Sequence, residues 1–177
     1  MGHRLKFAKF VMLVFKKIKI MLSDSEITTL RNNIIAVKDT VYNGKTIKTW
    51  LGESNRAEVA AYYNSAGSND IWRPDLTPEE MTSIINMANF ISLPAGNRDA
   101  WMAMSKLSKI DATQALVRTN FVSIFGSGTA TTVSATALAQ RKATNFEFLF
   151  TTSSVSTKYG YIVKEDDIYQ STLNIPL

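Results

Sequence analysis

Three short motifs between Trp72 and Asp167 decide the fold: Thr77-Pro78-Glu79-Glu80, Asp111-Ala112-Thr113-Gln114 and Thr144-Asn145-Phe146-Glu147. Each motif places a Thr or Asp three residues before a Glu or Gln. In such a capping box the first side chain accepts a hydrogen bond from a helix amide, and the later side chain accepts one from the amide of the cap residue. Proline at the first helical position strengthens the first motif. The motifs predict a mainly α fold made of short capped helices.

The spacing of hydrophobic residues by three and four extends this prediction along the chain. Ser23 and Glu26 form a fourth capping box at the start of the first helix. The predicted helices cover residues 23–38, 54–64, 77–93, 98–108, 112–125, 132–142 and 144–151, and Asp166 or Asp167 caps a final turn. We expect Trp101, Leu116 and Phe146 to lie in the core, together with Ala115 and Val122 and with Phe121 and Phe125 as further candidates.

Strand signals are few. Asn43-Gly44 lies between β-branched and aromatic residues, which predicts a small β-hairpin near residues 40–50. Residues 71–74 are expected to be extended because Pro74 disfavours helix at the residue before it. Residues 65–70 and 151–158 are predicted loops, and residues 159–163 a short C-terminal strand. The expected fold is a compact bundle of five to seven short helices, with that hairpin and strand, in a single domain over residues 21–177.

The positive charge of the chain is concentrated at its N-terminus. Residues 1–20 contain six Lys or Arg and no acid, which leaves 14 basic and 15 acidic side chains in residues 21–177. A general attraction of this main part to phosphate backbones is therefore not supported. The apolar run of residues 10–15 is too short to span a membrane, which needs about 20 residues, or to serve as a secretory signal.

Three interpretations of residues 1–20 remain open. Translation starts at Met21, just before the cap at Ser23, and the segment is a gene-calling artefact or a loose arm. Alternatively, the segment is a basic helix that lies on an anionic surface, or an arm that binds a partner.

The composition excludes several kinds of catalytic site. The chain has no cysteine, which excludes disulfides, thiolate catalysis and zinc sites built from Cys. His3 is the only histidine and lies in the N-terminal arm, so a Ser/His/Asp arrangement cannot form. We therefore predict that the protein is not an enzyme and has no catalytic, cofactor-binding or metal-binding residues and no cofactor.

The remaining candidate positions have structural explanations. Acidic clusters at Glu79-Glu80 and at residues 165–167 fall at helix starts, where carboxylates complement the helix dipole. Gly126-Ser127-Gly128 lacks the Lys and Ser/Thr of a phosphate-binding loop and is interpreted as a helix stop. The aromatic residues Tyr62, Tyr63, Trp72 and Trp101 can stack on bases, but core positions are the commoner role for such residues.

Arg118 and Arg141 are the better candidates for specific interactions. Both are isolated cations on segments that are predicted to be neutral or apolar helices. We expect them to cap carboxyl ends of helices or to bridge to acids.

From Asp70 onward, the order of features resembles a family of uncharacterised proteins encoded in the structural-gene modules of tailed bacteriophages. The resemblance covers about 100 of the 177 residues. Its parts are Ile71-Trp72-Arg73, Leu116-Val117-Arg118 leading to Phe125-Gly126-Ser127-Gly128, Arg141-Lys142-Ala143-Thr144 with Glu147, Leu149-Phe150 with the Ser/Thr-rich loop, and Tyr161-Ile162-Val163 with Asp167-Ile168. The first 20 residues have no counterpart in this pattern.

The resemblance implies a non-enzymatic virion or assembly protein, located in the virion after assembly in the host cytoplasm. Its expected partners are head, neck or tail proteins and further copies of itself. The alternative is a small nucleic-acid-associated or regulatory phage protein that uses the basic arm of residues 1–20. A transmembrane segment is not expected.

Overall fold

A computed structural model describes residues 21–173 and residue 175, and in this part of the chain helices predominate over strands. The mainly α prediction is confirmed. The described residues cluster into two compact units. Of the described residues, 21–56, 164–173 and 175 belong to the first unit, and the second is Ala57–Val163. The predictions for residues 1–20 lie outside the described residues.

The first unit is built from three helices and a hairpin. Its elements are α1 (Asp24–Val37), β1 (Val41–Tyr42), β2 (Lys45–Thr46), α2 (Ile47–Gly52) and α10 (Glu165–Thr172). The predicted capping box of α1 is present, since Ser23 accepts from the Glu26 amide and Glu26 accepts from the Ser23 amide. The apolar face of α1 supplies Leu30 and Ile34 to the buried core. Arg31 Nε donates to the Ser171 carbonyl at 3.0 Å and so connects α1 to α10.

The predicted hairpin is confirmed but is shorter than expected. Val41 pairs with Thr46, and Tyr42 pairs with Lys45. Asn43 and Gly44 both have positive φ, at 49° and 84°, as a two-residue hairpin turn requires. Thr46 ends the hairpin because its side chain caps α2 by accepting from the Thr49 amide.

The second unit holds most of the elements. They are α3 (Arg56–Asn64), β3 (Ala66–Trp72), α4 (Pro78–Ser83), α5 (Met87–Ser92), α6 (Ala95–Met104), α7 (Ala115–Phe125), α8 (Ala130–Leu138), β4 (Gln140–Thr144), α9 (Asn145–Leu149), β5 (Thr151–Thr152) and β6 (Val155–Ser156). The unit includes all of helix α3 except its first residue, Arg56. The residues described thus form ten helical segments, against five to seven predicted.

The loop predicted over residues 65–70 is wrong, because residues 66–70 form most of strand β3. The strand pairs antiparallel with β4, placing Asp70 opposite Lys142 and Ile71 opposite Arg141. The helix predicted over residues 132–142 accordingly ends at Leu138. The Gly/Ser/Asn/Asp composition of residues 67–70 disfavours a strand locally, so pairing with a segment about 70 residues away overrides the local preference.

Two predicted helices also have different bounds in the structure. The helix expected over residues 77–93 is interrupted at Asn86, whose side chain accepts from the Asn89 amide and starts α5. The helix expected over residues 98–108 begins at Ala95 and ends at Met104.

The cap predicted at Asp111 is wrong. Its carboxylate accepts instead from the Thr113 amide, the Thr113 hydroxyl and the Gln114 side chain, which forms a turn before α7.

The buried face of α7 differs from the prediction. Phe121, Ile124 and Phe125 are buried, whereas Leu116 is 68% exposed and Ala115 and Val122 are also exposed. The prediction that Leu116 is a core residue is therefore wrong. The aromatic side chains determine the face, since Phe121 and Phe125 pack against Trp101 of α6 with ring centroids 6.0 and 5.6 Å from it. Trp101 and Phe146 are buried as predicted.

The C-terminal strand predicted over residues 159–163 is wrong, because these residues form a turn and an irregular segment. A hairpin lies just before them, where Thr151 pairs with Ser156 and Thr152 with Val155, so the loop predicted over residues 151–158 is also wrong. Ser153 and Ser154 make its turn with positive φ values of 50° and 62°. This hairpin ends α9 at Leu149, earlier than the expected residue 151.

Candidate functional site

The most tightly bonded polar group of the second unit is the carboxylate of Glu147. Its side chain is fully buried and receives two hydrogen bonds from the Arg141 guanidinium, at 2.8 and 2.5 Å. The amides of Thr144 and Gly160 donate to the same carboxylate at 2.8 and 2.6 Å. We call Arg141, Thr144, Glu147, Tyr159 and Gly160 the Glu147 corner.

Local sequence explains how the Glu147 corner forms. Thr144 is the cap of α9, and its side chain accepts from the Glu147 amide while Glu147 accepts from the Thr144 amide. Strand β4 delivers Arg141 to the same place. Gly160 has a φ of 72°, a left-handed conformation that glycine adopts without strain, and this turns its amide toward the carboxylate.

The charges of the corner stabilise each other. Burial by itself raises the pKa of Glu147, but the hydrogen bonds from Arg141, Thr144 and Gly160 outweigh burial and leave the pKa below its ordinary value. The same hydrogen bonds, from the Arg141 side chain to Glu147, raise the pKa of Arg141 above its ordinary value. Both groups are ionised at neutral pH. An ionised carboxylate with four donors has no accessible lone pair for acid or base catalysis, so the corner is a structural ion pair.

The Arg141 guanidinium also stacks on Tyr159, with its central carbon 4.2 Å from the ring centroid. The Tyr159 hydroxyl donates to Asp75 at 2.9 Å, and Asp75 accepts in turn from Arg73 Nε at 3.2 Å. Arg73 then bonds Glu80 at 3.1 Å. These contacts connect the end of β3, the start of α4 and the segment after β6.

The sequence-predicted positions can now be placed. Glu80 completes the capping box with Thr77, as predicted. The cap predicted at Asp166 or Asp167 is wrong, because Lys164 is the residue that precedes α10. Asp167 lies in the first turn of the helix, where it accepts from the Lys164 amide at 2.9 Å. Gly126 and Gly128 have positive φ values of 84° and 73° and follow the end of α7, so the helix-stop interpretation is confirmed. His3 lies outside the described residues.

Three of the four aromatic candidates have mainly packing roles. Trp101 and Tyr63 are buried, and burial raises the pKa of the Tyr63 hydroxyl. Tyr62 packs edge-on against Tyr63 at 5.1 Å. Trp72 is different, because it is half-buried and lies under the guanidinium of Arg118 at 4.6 Å.

The expectation for Arg141 is confirmed in its contact, since it bridges to an acid, but it lies on a strand and not on a helix. Arg118 does lie on a helix, α7. Its Nη1 donates to the carbonyls of Ala112 and Thr113 at 2.6 and 2.9 Å. These residues precede the helix that carries Arg118, so the expectation that it caps a carboxyl end or bridges to an acid is wrong. The ring under Arg118 could not be identified from spacing, because Trp72 and Arg118 are far apart in the sequence and meet only through a tertiary contact. The acid partner of Arg141 lies only six residues away, but no helical or strand spacing pairs the two positions.

Arg118 borders a cavity that the sequence did not predict. The cavity has a volume of about 210 Å³, and we call it the Arg118 cavity. Its wall is mainly apolar and includes Trp72, Met81, Met104, Phe121 and Ala135. Thr132 and Thr136 add hydroxyls, which are already bonded to the carbonyls of Gly126 and Thr132.

Several further features bear on chemistry. Within the described residues, every buried side-chain nitrogen or oxygen has a hydrogen-bond partner. In that same part of the chain, no three His, Cys, Asp or Glu side chains cluster as metal ligands would. None of the described helices combines the length and apolarity needed to cross a bilayer.

Comparisons with protein families, with curated proteins and with solved structures give no match.

Proposed function

We propose that this protein is a non-enzymatic bacteriophage virion or assembly protein that docks onto head, neck or tail proteins and onto further copies of itself. The resemblance over residues 70–169 supports the phage part of the proposal. The docking part is supported by apolar side chains that the second unit holds in place and leaves uncovered.

The main observation that supports docking is the exposed apolar face of helix α5. None of its residues is buried, and Met87 and Ile91 are 64% and 66% exposed. The two are four residues apart and therefore lie on one face of the helix. Methionine is a flexible, polarisable side chain that adapts to different partner surfaces. Contiguous exposed apolar patches mark protein-binding surfaces, and Met87 and Ile91 supply the apolar part of the proposed docking face.

The helix is anchored at both ends, so its exposed face has a defined position. The Asn86 amide, just before α5, donates to the buried Thr131 hydroxyl at 3.0 Å. After the helix, Arg98 Nη1 donates to the carbonyls of Ile91 and Leu93 at 3.1 and 2.9 Å. A rigid face loses less conformational entropy on binding than a mobile one.

The test is incorporation into particles of a variant that carries Met87→Lys and Ile91→Lys. We expect at least a tenfold loss of incorporation, because two charges must be desolvated at the interface. Val41→Lys is the matched control, since Val41 is 68% exposed and lies on the hairpin of the other unit. Unchanged incorporation of the folded double variant, or an equal loss with Val41→Lys, would remove α5 as the docking face.

A second candidate function rests on the charge of residues 1–20. The six cations of this segment, with no acid among them, favour a nucleic-acid-associated or regulatory role. This role predicts DNA retention that weakens with added salt and disappears when residues 1–20 are deleted. Retention that survives the deletion would contradict it.

A further inference from the structure

Two properties of the Arg118 cavity bear on what it can bind. It is a largely apolar space, and Arg118 is one of the residues that line it. Apolar pockets with a few convergent polar groups are the usual form of small-molecule sites. None of the residues that line this one is acidic, so the positive charge of Arg118 has no carboxylate partner within the cavity.

The volume limits the size of the occupant. A dry cavity of about 150 Å³ lined by aliphatic and aromatic side chains binds benzene. At about 210 Å³, the Arg118 cavity has room for one aromatic ring and a short substituent. It reaches the surface beside Val122 and Thr136, which line it and are themselves exposed, so a ligand has an entry path.

The contacts of Arg118 leave one edge of its guanidinium available. Nη1 is held by the two carbonyls of Ala112 and Thr113, and the plane is held over Trp72. Within the described residues, Nε and Nη2 have no hydrogen-bond partner. These two groups form the edge that binds a carboxylate through two parallel hydrogen bonds.

We propose that the Arg118 cavity binds a small aromatic monocarboxylate, with the ring among Met81, Met104 and Phe121 and the carboxylate on Arg118. Charge complementarity selects this class, because a neutral ring fills the apolar space but leaves the guanidinium edge without an acceptor. The inference does not depend on the proposed docking function, since the α5 face does not line the cavity.

The test compares phenylacetate with phenylacetamide, which has the same ring and nearly the same shape but no charge. Both are titrated into the full chain labelled with ¹⁵N, and the dissociation constants are taken from amide shifts. We expect phenylacetate to bind at least tenfold more tightly, with the largest shifts at Trp72, Phe121 and Ala135. Equal affinities, shifts elsewhere, or no shifts at 10 mM phenylacetate would overturn the proposal.

Three variants locate the binding. Arg118→Gln is expected to remove the preference for phenylacetate and to leave phenylacetamide binding unchanged. The matched control is Arg98→Gln, because Arg98 also donates Nη1 to two carbonyls but does not line the cavity. Ala135→Leu fills the cavity and is expected to abolish binding of both compounds while the chain stays folded.

Each variant also has an outcome that overturns the proposal. These outcomes are an equal loss of preference in Arg98→Gln, a preference retained by folded Arg118→Gln, and unchanged binding in Ala135→Leu. If Arg118→Gln does not fold, Ala135→Leu together with the acid and amide comparison still decides the question.

Discussion

Two arginines of the same unit illustrate how one residue type can have opposite roles. Arg141 faces the buried carboxylate of Glu147, and its charge is neutralised inside the protein. Arg118 is held by two backbone carbonyls and an aromatic ring, and its charge is not neutralised by the residues that line its cavity. The first arrangement stabilises the fold, and the second leaves a cation available to a ligand.

One of the two largest expected effects comes from breaking the ion pair. Arg141→Met should lower the free energy of unfolding by about 3 to 5 kcal/mol, because it leaves a buried carboxylate without its counter-ion. Urea unfolding monitored by circular dichroism measures this loss. Lys142→Met is the matched control, since Lys142 pairs with Asp70 at 3.0 Å on the surface and such pairs contribute about 0 to 1 kcal/mol.

The comparison between the two arginines can be tested in the same assay. Arg118→Met should cost only about 1 to 2 kcal/mol, because it leaves two carbonyls with fewer donors but no buried charge. Equal losses in Arg118→Met and Arg141→Met would contradict the distinction drawn between them.

A second contrast lies on helix α7. Phe121→Ala should lower the free energy of unfolding by about 3 to 5 kcal/mol, because the ring is buried against Trp101. Leu116→Ala on the same helix should stay within about 0.5 kcal/mol of the parent chain, because Leu116 is exposed. A large loss of stability in Leu116→Ala would contradict this assignment and would mean that Leu116 is buried, as hydrophobic spacing alone predicts.

The Glu147 corner should also make stability depend on pH. The folded-state pKa of Glu147 lies below its ordinary value of 4.5. Its contribution is therefore present above about pH 4.5 and is lost as the pH falls through the folded-state pKa. Glu147→Gln should be less stable at pH 7 and should lose less further stability between pH 4.5 and 3 than the parent chain. Parallel pH profiles for the two chains would contradict this assignment.

Loss of a single cap should have a smaller effect. Thr144→Ala removes the side chain that accepts from the Glu147 amide at 3.1 Å, and should cost about 1 kcal/mol with the fold retained. Thermal unfolding measures the change. A loss as large as that of Arg141→Met would mean that the cap, and not the ion pair, holds the corner together.

A small effect is also expected at the N-terminus. A chain that begins at Met21 should melt within about 4 °C of the full chain, because the cap at Ser23 is formed from residues that remain. Differential scanning calorimetry of both chains checks this. Unfolding of the shorter chain would show that residues 1–20 are an integral element, and would discard the interpretation that translation starts at Met21.

Local signals predicted part of the fold well. The capping boxes at Ser23, Thr77 and Thr144 and the Asn43-Gly44 turn are all present, because each depends on residues within a few positions of one another. Strand β3 was missed because its partner β4 lies far along the chain. The face of α7 was misassigned because Trp101, on another helix, decides which of its residues are buried.

The same limit applies to the candidate site. A bridge from Arg141 to an acid was predicted, but Tyr159 and Gly160 enter the corner through a segment expected to be a strand. No sequence pattern predicted the Arg118 cavity, since a void is produced by the packing of several helices. The one signal in the sequence is that Arg118 is an isolated cation on an otherwise neutral or apolar helix.

Quantitative mass spectrometry of purified phage particles tests the proposed role of the chain as a virion component. If the proposal is correct, peptides from residues 21–173 are found at a constant ratio to the other structural proteins in every preparation. Absence of these peptides, at a depth that detects minor neck proteins, would contradict a virion role.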